Sequence, residues 1–260
     1  MASESVPPNT LSHLWRIAGE GMAGIFRDGP GFEATGSPEH WTVIGGEPSV
    51  LFNWLAIHTA HPDNEARLRA GVAAIRARRL PALVLFAEAL AAGLAPVARE
   101  LGLEFADPSP LMLLRPNRPA TRAGPPGLVV ERVRDAIGLR AATDLIAAAF
   151  EESAASWSRC SGPSLLAAPA LSLYLARAGA EALSTCWIWR DGPLAYVAAM
   201  ATSPAHQRRG AGRAVLTHAL TAHAATGATA ASLIASDAGR PLYEQLGLRT
   251  VDTATSWVLR

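Results

Sequence analysis

Residues 200–213 read Met-Ala-Thr-Ser-Pro-Ala-His-Gln-Arg-Arg-Gly-Ala-Gly-Arg, and this is the most informative segment of the chain. An apolar strand, predicted over Leu194–Thr202, ends in a short turn that contains Pro204, and a glycine-rich run then opens a helix predicted over Arg209–Ala225. The glycines let the backbone bend tightly and approach a ligand. Because the first amides of a helix lack intrahelical partners and the helix dipole is positive there, the junction is predicted to bind phosphate.

Two well-known phosphate loops are excluded by the residues themselves. All 23 basic residues are arginine, and a Walker loop needs a lysine. The dinucleotide fingerprint needs a third glycine where Val215 stands. Arg208, Arg209 and Arg213 add guanidinium groups that suit phosphate oxygens. What remains is a Gln/Arg-x-x-Gly-x-Gly/Ala loop between a strand and a helix.

A second motif lies one strand further on, after the strand predicted over Ala230–Ala235. It reads Ala235-Ser-Asp-Ala-Gly-Arg-Pro-Leu-Tyr-Glu-Gln-Leu-Gly-Leu248. The two motifs in this order resemble the GCN5-related N-acetyltransferase (GNAT) superfamily. Gln207–Gly212, with Thr202 and Pro204 before it, is similar to the pyrophosphate loop of that family. Tyr243 stands at the family's tyrosine, whereas Leu248 replaces its usual aromatic residue. The resemblance covers residues 128–260 well and the first half weakly.

The resemblance implies an α/β (α+β, mixed-sheet) fold and acetyl-CoA as the acyl donor. The strand that ends at Thr202 should splay from the strand at Ala230–Ala235, so that its free backbone groups bind the pantetheine arm. A backbone amide on that strand would stabilise the charge on the thioester oxygen, and the Tyr243 hydroxyl would protonate the leaving thiolate. The expected cofactor-binding residues are Met200, Ala201, Thr202, Gln207, Arg208, Arg209, Gly210, Ala211, Gly212, Arg213 and Ser236.

The general base is left open by the sequence. The strand Leu194–Thr202 carries no carboxylate, and the candidates are Glu151, Glu152, His206 and Asp252. A water chain, or an acceptor amine of low pKa, would need no dedicated base. For Tyr243, the competing interpretation is a packed aromatic ring with a satisfied hydroxyl.

The expected function is therefore N-acetyl transfer from acetyl-CoA to an amine, by direct attack in a ternary complex. The alternative is a non-catalytic acyl-CoA-binding regulatory protein on the same scaffold, and a third possibility is an interaction module without a cofactor. The acceptor is expected to be a small-molecule or peptide amine, which the sequence does not identify because substrate contacts of the family lie in variable loops.

The chain divides at Arg115-Pro-Asn-Arg-Pro-Ala-Thr-Arg-Ala-Gly-Pro-Pro-Gly127, where prolines and glycines exclude a helix or a central strand. Residues 101–115 align without gaps on residues 246–260, at an offset of 246 − 101 = 145, and Leu, Gly, Leu, Asp, Leu and Arg coincide. A duplicated domain is the better interpretation. We therefore predict two tandem GNAT-like acyl-CoA N-acyltransferase domains, with a degenerate domain at residues 1–115, a linker at 116–127 and the acetyltransferase domain at 128–260.

The first half is predicted to lack a working phosphate loop. A hairpin of strands within Trp41–Ile57 and a helix over Pro62–Arg79 parallel the second half, followed by a strand over Ala82–Phe86 and a helix over Glu88–Leu101. At the corresponding junction, however, stand Asp63 and Glu65 and no glycine. Acidic groups repel phosphate, so this domain is expected not to bind the cofactor but to pack on the active one.

The composition of the chain narrows the classes of function that remain. The chain has 260 residues, half of them apolar, and a net charge of +1, which gives no basic footprint for nucleic acid. Cys160, Cys186 and seven histidines form no metal-ligand spacing, so no metal is expected. The N-terminal Met1–Thr10 is not a signal peptide, and no apolar run is long enough to span a bilayer. A cytoplasmic monomer or homodimer, without membrane partners, is the expectation.

Overall fold

The computed structural model describes residues 7–120 and 124–260. Most of the N-terminal segment Met1–Thr10 and the middle of the linker, residues 121–123, lie outside the described residues. The helices are α1 (Pro8–Ile25), α2 (Asn64–Ala77), α3 (Glu88–Glu100), α4 (Ala136–Ala149), α5 (Ala154–Cys160), α6 (Ser164–Ala167), α7 (Ala211–Ala225) and α8 (Arg240–Gln245). The strands are β1 (Glu33–Gly36), β2 (His40–Ile44), β3 (Asn53–Ile57), β4 (Ala82–Ala87), β5 (Glu104–Leu114), β6 (Leu128–Arg132), β7 (Leu171–Ala178), β8 (Glu181–Asp191), β9 (Leu194–Thr202), β10 (Ala230–Ile234) and β11 (Arg249–Leu259).

All the strands form one mixed sheet in the order β1-β2-β3-β4-β11-β5-β10-β9-β8-β7-β6. Only β3 with β4 and β9 with β10 pair in parallel, and the other neighbours are antiparallel. The predicted mixed α/β fold is confirmed. The final strand of each half pairs with the other half, because β5 lies beside β10 and β11 lies beside β4. The two halves are thus joined by exchanged strands rather than by side-by-side packing alone.

The exchanged strands β5 and β11 meet about a local two-fold axis. Ser109 pairs with Ala254, and these two positions are separated by the same 145 residues (254 − 109) as the sequence repeat. The pairing is symmetric about this point, since Arg249 faces Leu113 and Val258 faces Glu104. The repeat seen in the sequence therefore corresponds to two structurally equivalent strands, and the division into two domains at residues 116–127 remains a prediction because the sheet is continuous.

The core has three parts that follow from the alternation of side chains along the strands. One face of the sheet is shared by both halves and is covered by α1, α4 and α5, with Trp15, Trp157 and Trp187 at most 3% exposed. The opposite face carries α7 and α8 on the second half and α2 and α3 on the first half. We call the shared face the inner face. Both halves contribute side chains to the core on the inner face, so neither half buries its apolar surface alone.

Helix α1 and strand β1 were not predicted from the sequence. Gly19, Gly21 and Gly24 interrupt the apolar pattern and lower helix propensity. The structure shows why glycine is present: a Cβ on Gly19 would lie 2.6 Å from Cγ of Trp41, and one on Gly21 would lie 2.7 Å from Cδ1 of Tyr196. These glycines let α1 lie directly on aromatic rings of both halves, and this contact can be seen only in the folded protein.

Among the described residues, no helix is both long and apolar enough to cross a membrane. Within the same residues, no group of three or more histidine, cysteine, aspartate or glutamate side chains is arranged to hold a metal ion.

Cys160 and Cys186 are buried free thiols, and burial raises the pKa of each, to about 12 for Cys160. A raised pKa keeps a thiol protonated and unreactive, in line with a packing role.

Candidate functional site

Strands β9 and β10 separate at one end, and this separation forms the site. They pair at three positions, the last being Ser232 with Tyr196, and beyond Tyr196 no strand of the described residues pairs with that edge of β9. The cause lies in β9 itself: Trp187 faces Ala199 and Ile188 faces Val197, so Ala198 is an extra, bulged residue. A bulge bends its strand and frees backbone groups. We call the opening between residues 197–202 of β9 and the end of β10 the fork.

The glycine-rich loop stands at the open end of the fork. Gly210 begins α7 with a φ of +91°, and Arg208 also adopts a left-handed conformation, with a φ of +63°. The amides of residues 210–213 donate no backbone hydrogen bond to another described residue. Such consecutive free amides at a helix start form a concave anion-binding nest.

Gly212 lets the start of α7 approach the end of β9. A Cβ at this position would lie 2.9 Å from Oγ1 of Thr202 and 3.2 Å from Cε of Met200. The Thr202 hydroxyl is itself held by the hydroxyl of Ser184 at 2.9 Å, so it is not free to turn away. Glycine is therefore required here for packing, and it keeps the loop and the fork in contact.

A cavity of about 760 Å³ runs from the loop into the fork. Its wall includes ten of the eleven predicted cofactor-binding residues as well as Tyr243; the exception is Ala211, which is buried at the helix start. Ala149 and Phe150, at the end of α4 on the inner face, also line it. The cavity therefore passes between the strands from one face of the sheet to the other. No carboxylate is among its described lining residues.

Tyr243 lies on α8 beside the fork and is only 8% exposed. Its hydroxyl lies 3.9 Å from Sδ of Met200, and Gly239 leaves room for the ring. Burial raises the pKa of the Tyr243 phenol, with a further contribution from Cys186. The hydroxyl therefore stays protonated at neutral pH and is able to donate a hydrogen bond into the cavity.

The three arginines of the loop differ in their interactions with neighbouring side chains. Arg213 donates to Oε1 of Gln245, which fixes it against α8. Arg208 and Arg209 are exposed on the cavity wall and form no salt bridge with any described residue. Two uncompensated guanidinium groups beside free amides attract a polyanion.

The four candidate bases do not line the cavity. Asp252 accepts hydrogen bonds from the Trp15 indole at 2.9 Å and from the Glu88 amide at 3.4 Å, and it thereby joins α1 to the start of α3. Glu152 accepts from the Ser49 hydroxyl, and His206 lies 3.7 Å from Glu181. Glu151 is exposed. The structure brings none of them to the fork.

In the first half, β3 and β4 correspond to β9 and β10, and these two strands do not separate into a fork. Strands β3 and β4 pair at four positions, and β2 and β3 show no bulge. Helix α2 starts at Asn64, whose side-chain amide donates to the Thr59 carbonyl. Asp63 and Glu65 add negative charge at this end. A fork and an anion-binding nest are thus present at β9 and β10 and not at their counterparts among the described residues.

Two features of the site were missed by sequence reasoning. The bulge at Ala198 has no residue signature, since the strand reads as a plain alanine-rich run. The linker also joins the wall: Gly124, Pro125 and Pro126 line the cavity, and Cγ of Pro125 would lie 3.2 Å from a Cβ on Gly210. The prolines marked this segment as a linker but could not show where it packs.

The fold and the fork define an α/β protein whose sheet opens beside an amide-rich loop. Residues 139–248 match the family model of the acetyltransferase (GNAT) family. Among solved structures, the chain is similar to a GCN5-related N-acetyltransferase from Kribbella flavida, with 23% identity, 94% of each chain covered and a TM-score of 0.67. It is also similar to a GCN5-related N-acetyltransferase from Sphaerobacter thermophilus, with 13% identity over 99% of this chain and 95% of that one and a TM-score of 0.63.

A third similar structure is a tandem GNAT protein from the clavulanic acid biosynthesis pathway, with 14% identity over 95% of this chain and 93% of that one and a TM-score of 0.60. No curated protein matches the chain. Residues 139–248 are therefore similar to the acetyltransferase (GNAT) family, and the whole chain has the fold of GCN5-related N-acetyltransferases. This fold supports acyl transfer.

Proposed function

We propose that the protein is an acetyl-CoA-dependent N-acetyltransferase with one working site, at the fork of the second half. The observation that carries the proposal is one cavity that joins three elements: the free amides of residues 210–213, the unpaired edge of β9 and the hydroxyl of Tyr243. Acetyl-CoA supplies the reactive acyl thioester. Each element matches the chemistry of one part of that molecule.

The loop would hold the pyrophosphate. Free amides and a positive helix end stabilise negative charge, and Arg208 and Arg209 are available for the phosphate oxygens. The open edge of β9 at Met200–Thr202 offers unpaired backbone groups to the amides of the pantetheine arm, in the manner of an added strand. Ser236 stands on the cavity wall opposite and is exposed.

The chemistry would take place at the base of the fork. The bulge at Ala198 lies where no described strand pairs with the outer edge of β9, and a backbone amide left free there would stabilise the negative charge that develops on the thioester oxygen. The protonated Tyr243 hydroxyl would donate its proton, or a hydrogen bond, to the departing sulfur. The acceptor amine would approach from the inner face, through the part of the cavity lined by Ala149 and Phe150.

The first half would contribute structure and not a second site. Its unbulged strands, and the acidic residues at the start of α2, support this interpretation. The non-catalytic acyl-CoA-binding protein remains the second candidate, because none of the described residues that line the cavity is a carboxylate able to act as a base.

Acetyl transfer to an amine panel separates the two candidates. The wild-type protein is expected to transfer the acetyl group to at least one amine. Tyr243→Phe should keep the affinity for acetyl-CoA and lose roughly 10- to 100-fold in kcat. Tyr174→Phe is the matched control, because Tyr174 is also buried but lies on β7 against His218. Tight binding of acetyl-CoA without turnover on any amine would favour the non-catalytic protein.

A further inference from the structure

A second cavity, of about 640 Å³, lies between the two halves of the chain. We call it the second cavity, and it is lined by residues 48–50, 76, 79–81, 152 and 260. The first half supplies the loop before β3, the end of α2 and the start of β4, and the second half supplies Glu152 and Arg260. None of these residues also lines the cavity of the fork. A cavity of this volume, at a junction between structural units, accommodates a small molecule.

The walls of the second cavity are held together by Asn53, which is fully buried. Its side-chain nitrogen donates to the carbonyls of Glu47, Ser49 and Pro81 at 2.8, 3.0 and 2.9 Å. These bonds tie the loop before β3 to the start of β4. The Ser49 hydroxyl in turn donates to Oε1 of Glu152 at 2.5 Å, which joins that loop to the second half. The cavity is therefore shaped by the fold itself, which lowers the cost of ordering a ligand.

The wall of the second cavity carries positive charge that its neighbours do not balance. Arg260 is paired with Glu104, from Nε to Oε2 at 2.6 Å. Arg76 donates to a backbone carbonyl at 2.8 Å, and neither Arg76 nor Arg79 forms a salt bridge with any described residue. Among the described lining residues, Glu152 has the one carboxylate side chain. Two uncompensated guanidinium groups and one carboxylate leave a surplus of one positive charge (2 − 1).

The backbone at Arg79 is a second sign that its side chain serves the cavity. Arg79 follows the end of α2 with a φ of +57°, and its amide donates to the Arg76 carbonyl at 2.9 Å. Glycine or asparagine commonly occupies such a position, because the left-handed conformation strains other residues. An arginine here thus strains the fold where a glycine would not, and it brings a guanidinium group to the cavity wall.

The competing explanation is that these arginines only balance the dipole of α2. Cationic side chains stabilise the negative end of a helix. Arg78 lies at the same helix end, donates to the Ala74 carbonyl at 2.9 Å and pairs with Glu33, and it does not line the second cavity. The two explanations therefore predict different behaviour for Arg78 on the one hand and for Arg76 and Arg79 on the other.

We propose that the second cavity binds a small monocarboxylate with an apolar body, as a site separate from the fork. The two oxygens of a carboxylate match the N–H groups of a guanidinium, and its single charge equals the surplus on the wall. Val50, Leu80 and Pro81 offer apolar surface to the rest of the molecule. A phosphate dianion suits this wall less well, since Glu152 repels its second charge.

Fluorine NMR of para-fluorophenylacetate, titrated with the full chain, tests the proposal. The uncharged analogue is para-fluorophenethyl alcohol, which has a similar shape. The wild type should bind the acid with a dissociation constant of about 1–10 mM, as expected for a ligand of this size, and the alcohol roughly five-fold more weakly or less well still.

Arg76→Ala and Arg79→Gly should each raise the dissociation constant of the acid roughly 3- to 10-fold, because each removes a charged hydrogen-bond donor. Arg79→Gly should do so without lowering Tm, since glycine adopts the left-handed conformation without strain. Weaker binding in a protein of undiminished stability is an outcome that a purely structural role does not produce.

The matched control is Arg78→Ala, which alters the same helix end outside the second cavity. Arg209→Glu is the control for the fork, whose loop also attracts anions. Both variants should bind the acid as the wild type does. The proposal is overturned if the wild type does not bind the acid, if the alcohol binds equally well, or if Arg78→Ala weakens binding as much as Arg76→Ala and Arg79→Gly do. It is also overturned if binding is lost in Arg209→Glu and retained in Arg79→Gly. None of these outcomes depends on acetyl transfer, so the proposed function is tested separately.

Discussion

Replacing Gly212 with alanine would add one methyl group at the contact between the loop and the fork. The new Cβ would lie 2.9 Å from Oγ1 of Thr202, whereas an ordinary contact needs 3.4 Å or more. The start of α7 and the end of β9 would therefore separate by about 0.5 Å, as overpacked contacts do. Rotation of Thr202 offers no escape, because it breaks the hydrogen bond to Ser184.

This separation misaligns the amides at the start of α7 with the edge of β9. A hydrogen bond to a charged group contributes about 1.5–3 kcal/mol, and a partial loss at two such amides gives about 1–3 kcal/mol. We expect the dissociation constant of acetyl-CoA, measured by calorimetry, to rise roughly 5- to 100-fold in Gly212→Ala.

Gly93→Ala is the matched control for this experiment. Gly93 lies inside α3, and a Cβ there would meet nothing within 4 Å. This variant should bind acetyl-CoA with wild-type affinity and gain about 0.5–1 kcal/mol of stability, because alanine favours a helix. Unchanged affinity in Gly212→Ala would refute the assignment of the fork and its loop to the cofactor.

Two further predictions concern stability. Gly24→Ala should lower the free energy of unfolding by about 1–3 kcal/mol in denaturant titrations, because its Cβ would lie 2.6 Å from Cε3 of Trp189, whereas a wild-type midpoint would contradict the packing of α1. His58 is buried against Trp15, and burial lowers its pKa to about 4; its folded-state pKa lies below the unfolded one, so stability should fall as pH drops from 6.5 towards 4. His58→Gln should flatten that part of the curve relative to wild type, whereas the exposed His218→Gln should not, and equal curves for all three proteins would exclude His58 as the cause.

Local patterns predicted the parts of the fold that are specified by neighbouring residues. The apolar run Leu194–Thr202 gave β9 with its observed bounds, and the glycines of residues 210–212 marked the start of α7 within two residues. The repeat at an offset of 145 identified β5 and β11 as equivalent strands. Each of these signals depends on short-range chemistry that is visible in the sequence.

Long-range packing was not predictable in the same way. The exchange of β5 and β11 depends on which strands meet after folding, and an aligned repeat is compatible with exchanged or unexchanged strands. Helix α1 was missed because its glycines serve contacts with Trp41, Tyr196 and Trp189 across the shared core. Asp252 was a reasonable candidate base by residue type, but its hydrogen bonds to Trp15 and Glu88 are visible only in the fold.

The proposed function places a single acetyl-CoA site at the loop of the second half. Calorimetric titration of the full chain with acetyl-CoA, for the wild type and for Arg209→Glu, counts the sites and tests the loop directly. We predict one molecule bound per chain, with binding abolished by Arg209→Glu because a carboxylate replaces a free guanidinium beside the pyrophosphate. Two molecules per chain, or unaltered binding by Arg209→Glu, would contradict the account.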